Sequence, residues 1–499
     1  MRKELLVNAT PPETRVAILE DGRTVEVFHE RRSRQGLVGN VYLGRVHRVL
    51  PGMQAAFVSI GLERDAFLYV EDVLPRPVDL DSDSEGDEDS IPEASRETAD
   101  RPRIDDLVKE GQEIVVQVTK DPLAGKGPRV TANMSLPGRT LVYLPGVREI
   151  GISRRITDEE ERERLRQILE SLPGEGGLIA RTAAQGSASA EFAAEHRYLT
   201  ELAAKITRKA DTTSSPALLH RELGLALRAV RDLVTSEFAS IRVDDSETHA
   251  RIAEFVAQVA PFLGYRLELD RNPEPLFERF GVEAEIENAL KSRVPLASGG
   301  SIVIHQTEAL VAIDINTGRY VGKEDLEETV FETNLEAIPE VARQIRLRDL
   351  GGLLVVDFID MLDAAHRLEV FERFEAELAK DRARFRMLPV SEFGLIEITR
   401  QRSRGNLEKL LTRSCPDCGG SGRVKTDLTT ALELRRALLT PPVLFVSGET
   451  VRVRVRPGLA QFLAEEEPEL LEDVERELGI RVELVADETL PPAKYEIGR

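Results

Sequence analysis

Two strongly apolar segments of the chain each run into an aspartate. Residues 309–313 lead into Asp314, and residues 353–356 lead into Asp357. If the two segments are neighbouring strands of one sheet, their terminal carboxylates lie close together and repel each other. A Mg²⁺ ion relieves such repulsion, because it binds one or two carboxylates together with waters and phosphate oxygens. The pattern therefore indicates a magnesium site, with Asn316 close by.

A structural interpretation of the same residues stays open. Asp314 could shape the turn that follows its strand, and Asp357 or Asp360 could cap the next helix. For a single aspartate of this kind the structural interpretation is favoured. Two matched aspartates make the metal site and the structural roles about equally good explanations.

The chain has only two cysteines, Cys415 and Cys418. This usage excludes a disulfide framework and is typical of a reducing compartment. Two thiolates at this spacing can share one Zn²⁺, whereas a redox pair normally opens a helix, which the following Gly-Gly-Ser-Gly disfavours. Two ligands fill half of a tetrahedral site. The other two ligands would be histidines or the cysteines of a second subunit, and a symmetric dimer sharing one zinc is the economical solution.

The N-terminal part is rich in short β segments and arginines. Residues 31–62 hold five arginines and no acidic residue, and short strands with turn signals continue to residue 70. Small barrels bind single-stranded nucleic acid by stacking bases on aromatic rings in a positive groove. Alternation along strands implies that some of the aromatic residues here belong to the core instead. The candidates are Tyr42, Phe57, Phe67 and Tyr69.

Six arginines are concentrated in residues 382–404, where they face only two glutamates. Arginines neutralise phosphates and release counterions, although such a run is often only a solvated surface. The formal net charge of −21 does not contradict a nucleic-acid partner, since most of it is local. Residues 77–106 hold twelve acidic and three basic residues and are predicted to be a disordered insert, and residues 426–499 hold fifteen and nine.

The length of 499 residues suggests three or four domains. A hairpin is predicted around Asp21-Gly22, a layered α/β core over residues 293–400, and a small α+β unit at the C-terminal end. The longest strongly apolar stretch, residues 351–362, contains two aspartates and is too short to cross a bilayer, and no secretory signal is evident. We therefore expect a soluble, cytoplasmic protein.

Taken together, these residues resemble the ribonuclease E/G family of bacterial endoribonucleases, and the length resembles that of its G-type members. Long motifs in one order carry the resemblance. They lie at residues 4–8, 50–58, 307–316, 332–337, 343–352, 356–361 and 415–422.

The resemblance implies an α+β multidomain fold in which an RNase H-like domain is split by inserted segments. The implied parts are a first RNase H-like part (1–38), an S1 (OB-fold) RNA-binding domain (39–133) with the acidic insert 77–106, a 5′-sensor region (134–228), a second RNase H-like part (229–290), a DNase I-like α/β catalytic domain (291–411), a zinc link (412–425) and a small C-terminal domain (426–499).

The resemblance also implies roles for individual residues. The implied Mg²⁺ ligands are Asp314 and Asp357, with Asn316 orienting the attacked phosphate. The implied ligands of a structural Zn²⁺ shared between two subunits are Cys415 and Cys418. The implied RNA contacts are Phe57, Phe67, Lys126 and Arg384, and the implied 5′-phosphate pocket contains Val142, Arg181 and Thr182.

We therefore expect a Mg²⁺-dependent endoribonuclease that cuts single-stranded, A/U-rich RNA, prefers 5′-monophosphate ends, and leaves 5′-phosphate and 3′-hydroxyl ends. Such an enzyme would act in rRNA and tRNA processing and mRNA decay, as a homodimer or a homotetramer. The alternatives are a non-catalytic S1-domain RNA-binding regulator and a phosphohydrolase of small substrates. The second alternative leaves the barrel and the sensor pocket without a purpose.

Overall fold

The predicted N-terminal hairpin forms at the expected place. Its strands are Glu13–Glu20 and Arg23–Arg31, and the two residues between them, Asp21 and Gly22, have φ values of 48° and 80°. Two consecutive positive φ values are required by the tight two-residue turn whose twist matches that of the flanking strands. The prediction is confirmed.

The structure is a computed structural model that describes residues 2–74, 102–122, 126–317, 326–391, 393–402, 406–440 and 445–498. The chain divides into two units, Met1–Glu408 and Lys409–Arg499. The strands of the first unit are β1 (Lys3–Ala9), β2 (Glu13–Glu20), β3 (Arg23–Arg31), β4 (Val41–Leu50), β5 (Ala55–Ser59), β6 (Ala66–Tyr69), β7 (Glu113–Lys120), β8 (Arg129–Thr131), β9 (Leu136–Pro137), β10 (Leu141–Leu144), β11 (Ile150–Ile152), β12 (Gly177–Ala180), β13 (Ala217–His220), β14 (Phe238–Val243), β15 (Leu267–Leu269), β16 (Arg293–Pro295), β17 (Ser301–Gln306), β18 (Leu310–Asn316), β19 (Gly352–Asp357), β20 (Phe385–Met387) and β21 (Leu395–Arg400).

The helices of the first unit are α1 (Ile104–Leu107), α2 (Glu159–Ser171), α3 (Ser189–Thr212), α4 (Leu225–Leu233), α5 (Ser246–Val259), α6 (Leu276–Arg279), α7 (Val282–Ala289), α8 (Leu326–Leu347), α9 (Ala364–Leu378) and α10 (Leu407–Leu411), the last of which continues past the boundary. The elements of the second unit are α11 (Asp427–Leu439), β22 (Thr450–Val455), α12 (Pro457–Gln461), α13 (Glu469–Leu478), β23 (Arg481–Ala486) and β24 (Tyr495–Gly498).

The first sheet has the strand order β15-β14-β1-β2-β3, with β1 parallel to β14. It unites residues 3–31 with residues 238–269 and packs α4 and α5 against one apolar core. A sheet built from two distant segments is what a domain split by insertions requires. Its likeness to RNase H and the exact domain boundaries remain predictions.

The inserted β-rich block is a closed five-stranded barrel, consistent with an S1-like domain. Its strands follow the order β4-β5-β6-β8-β7, and pairing of β4 with β7 closes it. The end of the predicted disordered insert behaves differently from the prediction: residues 102–106 include the start of α1, where Ile104 is fully buried in the barrel core. An apolar residue that fills the core offsets the ordering entropy of this short segment. Residues 77–101 lie outside the described residues.

A four-stranded sheet, β11-β12-β10-β9, follows the barrel and is packed against α2 and α3. The next sheet has the order β16-β17-β18-β19-β21-β20. Residues of α8 and α9 join the buried residues of one face of this sheet in a single core. The opposite face carries exposed side chains, among them Asp314 and Asp357. In the second unit, three strands in the order β23-β22-β24 share a core with α11, α12 and α13.

Candidate active site

Asp314 and Asp357 lie side by side. Strands β18 and β19 are parallel, and the register places the two aspartates directly opposite each other. Residues alternate between the two faces of a strand, so the buried Ile313 and Val356 turn inward while the aspartates turn to the exposed face. Neighbouring strands are about 4.8 Å apart, which keeps both carboxylates within reach of one small cation. The predicted juxtaposition is confirmed.

The electrostatics of this pair favour a cation. Partial burial raises the pKa of Asp357, and the negative charges of Asp314 and Asp360 raise it further. The two acidic neighbours disfavour the ionised form of Asp357. A positive ion bound beside these carboxylates would stabilise that form. Asn316 donates a hydrogen bond from Nδ2 to Oδ2 of Asp314 at 2.7 Å, which orients that carboxylate.

The structural interpretation of Asp357 and Asp360 as helix caps is wrong. Helix α9 is capped by Asp363, whose Oδ1 accepts a hydrogen bond from the amide of Ala365 at 2.8 Å. Asp360 instead lies against the turn at Gly394, where a Cβ atom would come within 3.0 Å of its Oδ1. Asp357 and Asp360 therefore do not cap α9, and both are exposed.

Two carboxylates suit a magnesium ion better than they suit a metal that takes all of its ligands from the protein. Among the described residues, no group of three or more His, Cys, Asp or Glu side chains is arranged to hold a metal ion. Mg²⁺ keeps several waters and commonly takes only one or two carboxylates together with substrate phosphates. The donor set at Asp314 and Asp357 fits that chemistry.

The arginine-rich segment after α9 divides into structural and exposed members. Arg400 is buried and pairs with Asp381 at 2.7 Å and Asp349 at 2.9 Å, so its expected part in a phosphate-binding surface is wrong. Arg384 is exposed, and its carbonyl accepts a hydrogen bond from the amide of Gln401 at 2.8 Å. Arg404 lies outside the described residues.

The barrel presents an aromatic surface. Phe57 and Phe67 are partners in the β5–β6 register, and their ring centroids lie 5.3 Å apart. Tyr69 extends the group, with its ring 4.5 Å from that of Phe67. All three are half-buried, whereas Tyr42 is buried in the barrel core. Tyr42 is therefore the structural member of the four aromatic residues.

Lys126, the third residue of the predicted RNA-contact set of the barrel, is exposed. The next residue, Gly127, packs against the main chain at Asp65, so closely that a Cβ atom would lie 1.9 Å from the carbonyl oxygen. Only glycine permits that approach. It holds the chain next to Lys126 beside the start of β6.

The residues of the predicted 5′-phosphate pocket surround the end of β12. The Arg181 guanidinium bonds to the carbonyl of Gly138 and pairs with Asp232 at 2.7 Å. Burial raises the pKa of Asp232, but Arg231 and Arg181 outweigh that effect and leave it lowered, so the pair is ionised. The Thr182 hydroxyl lies 3.1 Å from that of Ser153. Val142 is buried in a small apolar cluster with Leu144 and Ile179.

Cys415 and Cys418 lie in a turn of the second unit, ahead of α11. The amide of Gly422 donates to Sγ of Cys418 at 3.3 Å. Hydrogen bonds from the amides of Gly422 and Gly420 lower the pKa of the Cys418 thiol, which favours the thiolate that binds metals. Positive φ values at Gly420 (90°) and Gly422 (68°) allow this tight turn.

Comparison with known proteins decides the family. A model of the ribonuclease E/G family matches residues 135–403, and a model of the thioredoxin-like domain of RNase E/G matches residues 414–499. Ribonuclease G of Escherichia coli (strain K12) is 41% identical over 498 residues, which are 100% of this chain and 99% of that protein. The chain belongs to the ribonuclease E/G family.

Two further relatives agree with this family. Ribonuclease G of Haemophilus influenzae is 40% identical over 496 residues, which cover 99% of each chain. Ribonuclease E of Escherichia coli (strain K12) is 34% identical over 503 residues, which cover 100% of this chain and 46% of that protein. A member of this family is an endoribonuclease and depends on metal, so the non-catalytic alternative is wrong. No helix among the described residues has the length and apolar character needed to cross a membrane.

Two acidic residues of this ribonuclease E/G family member were not predicted in their observed places. Asp360 contributes to the negative charge around Asp357. The sequence signal for this contact is that Asp360 follows Asp357 by only three residues. Asp232 pairs with Arg181 across 51 positions of sequence, and nothing in the local sequence indicates that contact.

Proposed function

We propose that this enzyme is a Mg²⁺-dependent endoribonuclease that hydrolyses single-stranded, A/U-rich RNA and leaves 5′-phosphate and 3′-hydroxyl ends. The observation that supports the proposal most directly is the register of Asp314 opposite Asp357 on the exposed face of the sheet. An open site of this kind admits a phosphodiester with its two flanking nucleotides. The proposed settings are the cytoplasm, with roles in rRNA and tRNA processing and mRNA decay.

The chain's own residues hold and orient the reacting groups. Asp314 and Asp357 bind the cation, which when bound supplies Lewis-acid stabilisation of charge on the phosphate. Asn316 lies 2.7 Å from Asp314 and can turn its amide toward a phosphate oxygen. Arg384 adds an exposed positive charge that can contact the RNA backbone near the scissile bond.

The barrel surface binds the single strand in this proposal. Phe57 and Phe67 offer rings that are half exposed, and Lys126 neutralises a phosphate. Ring stacking tolerates every base, since each base has a π-face. The barrel therefore supplies affinity, and the preference for A/U-rich segments follows from their low tendency to pair.

The preference for a 5′-monophosphate comes from Arg181 and Thr182. Arg181 is neutralised by Asp232 in the absence of RNA, so a terminal phosphate has to compete for its guanidinium. A phosphate monoester carries more charge than a carboxylate and matches the planar donor fork of arginine. Val142 pairs with Ile179 of β12 and so supports the strand that leads into Arg181.

The cysteine turn holds a structural zinc ion in this proposal. Cys415 and Cys418 supply two of four ligands, and among the described residues no larger group completes the site within one chain. The same pair from a second copy completes it, which makes the enzyme a zinc-linked homodimer. Pairing of two dimers would give a homotetramer.

The chemistry of the product ends tests the reaction. A 5′-labelled single-stranded oligoribonucleotide is cleaved with Mg²⁺, and the ends are identified by mass spectrometry. We expect a 3′-hydroxyl on the upstream product and a 5′-phosphate on the downstream product, because water attacks the phosphorus. A 2′,3′-cyclic phosphate would show attack by the RNA's own 2′-hydroxyl and would contradict the proposal. The Asp357→Asn variant serves as the control for contaminating nucleases.

A further inference from the structure

The loop between Asp357 and α9 is fastened to α8. This loop carries Asp357 at its start and Asp360 in its middle, yet neither strand pairing nor a helix fixes residues 358–363. Helix α8 lies beneath the sheet and reaches the loop with two polar side chains, Asn334 and Glu327. The position of Asp360 therefore depends on contacts made by another element, whereas Asp357 is held by the pairing of β19 with β18 and β21.

Asn334 makes the inner contact. Its side chain is 0% exposed, which is unusual for an amide and requires that its polar atoms be paired. Nδ2 donates to the carbonyl of Ile359 at 2.9 Å, and the amide of Ile359 donates to Oδ1 at 3.1 Å. The side-chain amide thus pairs with both polar groups of one residue, as a neighbouring strand would. Ile359 lies two residues after Asp357 and one before Asp360.

Glu327 makes the outer contact, at the end of the loop that leads into α9. Its carboxylate accepts hydrogen bonds from the amides of Leu362 and Asp363, both at 3.1 Å, and lies 3.2 Å from Nδ1 of His366. The His366 ring stacks on Phe331 of α8, with centroids 4.0 Å apart. This contact fixes the start of α9. Asn334 instead contacts the segment between Asp357 and Asp360.

We propose that Asn334 is a positioning residue of this enzyme: by clamping the main chain at Ile359 it holds the segment that follows Asp357 and sets where Asp360 presents its carboxylate beside it. The inference rests on the proposed catalytic role of Asp357. A buried amide with both hydrogen bonds satisfied has one orientation, so it removes the freedom of the peptide between the two acids. Groups that orient metal-binding side chains cost about 10–100-fold in metal affinity or activity when they are replaced.

The test compares Asn334→Leu, which keeps the size but removes both hydrogen bonds, with Asn334→Ser, which is the milder change. Thr333→Val is the matched control, because Thr333 is also buried in α8 but, within the part of the chain that the structure describes, its hydroxyl bonds to Thr329 of its own helix, at 2.8 Å. We expect kcat to fall about 10–100-fold in Asn334→Leu, with a smaller fall in Asn334→Ser. KM for RNA should stay within about twofold, and Thr333→Val should resemble the wild type.

Two readouts do not depend on activity. Hydrogen exchange at the Ile359 amide should accelerate in the Asn334 variants and not in Thr333→Val. Binding of Mn²⁺, followed by electron paramagnetic resonance in the absence of RNA, should weaken about 10-fold or more. Faster exchange with wild-type kcat and Mn²⁺ affinity would overturn the inference, and so would an equal loss in Thr333→Val.

Failure of this inference and failure of the proposed function give different results. If Asp357→Asn cleaves RNA normally, the proposed function itself is wrong. If Asp357→Asn is inactive while folded Asn334→Ser keeps full activity and Mn²⁺ affinity, only the role of Asn334 is wrong.

Discussion

Asp357 faces Asp314 across the parallel pair β18–β19, and the two carboxylates are presented on the face of the sheet that the helices leave open. The consequence is a concentration of negative charge at the centre of an exposed surface. Partial burial raises the pKa of Asp357, and the negative charges of Asp314 and Asp360 raise it further, so a bound cation would stabilise its ionised form.

The first prediction concerns stability and pH in the absence of metal. Because the pKa of Asp357 is raised in the folded state, ionisation of this residue lowers the free energy of unfolding at neutral pH. This destabilisation disappears as the pH falls through that pKa. Asp357→Asn should be more stable than the wild type by about 0.5 kcal/mol at pH 7, a value typical of exposed like charges on opposed strand residues. Unfolding in guanidinium chloride with EDTA, repeated down to pH 3, measures the difference. A variant less stable than the wild type at pH 7 would contradict the prediction.

The second prediction concerns the barrel surface. Phe57→Ala and Phe67→Ala should each weaken binding of single-stranded RNA by about 1–3 kcal/mol, since each removes a stacking ring. Fluorescence anisotropy with a labelled 5′-hydroxyl oligoribonucleotide in EDTA measures affinity without cleavage. Tyr265→Ala removes an aromatic ring that is 74% exposed outside the barrel and should change nothing. Equal affinities for all three variants would rule out stacking at Phe57 and Phe67.

The arrangement of these aromatic residues illustrates what could be predicted from sequence. The barrel, the hairpin and the two apolar strands follow from local alternation and turn residues. Alternation alone does not say which side of a strand faces inward, so Tyr42 could not be separated from Phe57 before the closing pair β4–β7 was known. Long-range pairs are a further limit: Arg346 is buried between Glu20 and Glu26, more than 300 positions away.

In the active site, too, local features could be predicted from the sequence and long-range contacts could not. The two aspartates could be predicted because each interrupts an apolar strand. Their exact register depends on the order of strands within the sheet, which brings β19 next to β18 although helix α8 separates them in sequence. The structural role of Arg400 could not be predicted, since its partners Asp349 and Asp381 come from two other connections.

The third prediction concerns the 5′ end of the RNA. Arg181→Ala should remove the preference for a 5′-monophosphate over a 5′-hydroxyl substrate and leave cleavage of the 5′-hydroxyl substrate unchanged. The reason is that its guanidinium is the positive group offered to the terminal phosphate. Initial rates on one oligonucleotide with either end measure the ratio. Arg148→Ala removes an exposed arginine of the same region that pairs with Glu175, and should keep the preference. If the wild-type enzyme cuts both substrates at equal rates, the proposed 5′-phosphate pocket does not exist.

The fourth prediction concerns the cysteine turn. Cys415→Ser and Cys418→Ser should each lose zinc and convert the dimer to monomers, because a site shared by two variant chains loses two of its four thiolates. Light scattering gives the mass, and elemental analysis gives one zinc per two chains in the wild type. Ser414→Ala, adjacent in sequence, is the control. A metal-free wild-type dimer with an unchanged mass in a chelator would show that zinc does not link the subunits.

The central claim is that Asp314 and Asp357 hold the catalytic cation, and a paired measurement of metal binding and cleavage tests it most directly. Mg²⁺ is titrated calorimetrically into the wild type, Asp314→Asn, Asp357→Asn and the control Asp363→Asn, whose side chain still caps α9, and single-turnover cleavage is measured on the same samples. We predict that both site variants lose Mg²⁺ binding and cut RNA at least about 100-fold more slowly, with unchanged RNA affinity, while Asp363→Asn behaves as the wild type. Wild-type cleavage by either Asp314→Asn or Asp357→Asn would contradict the account.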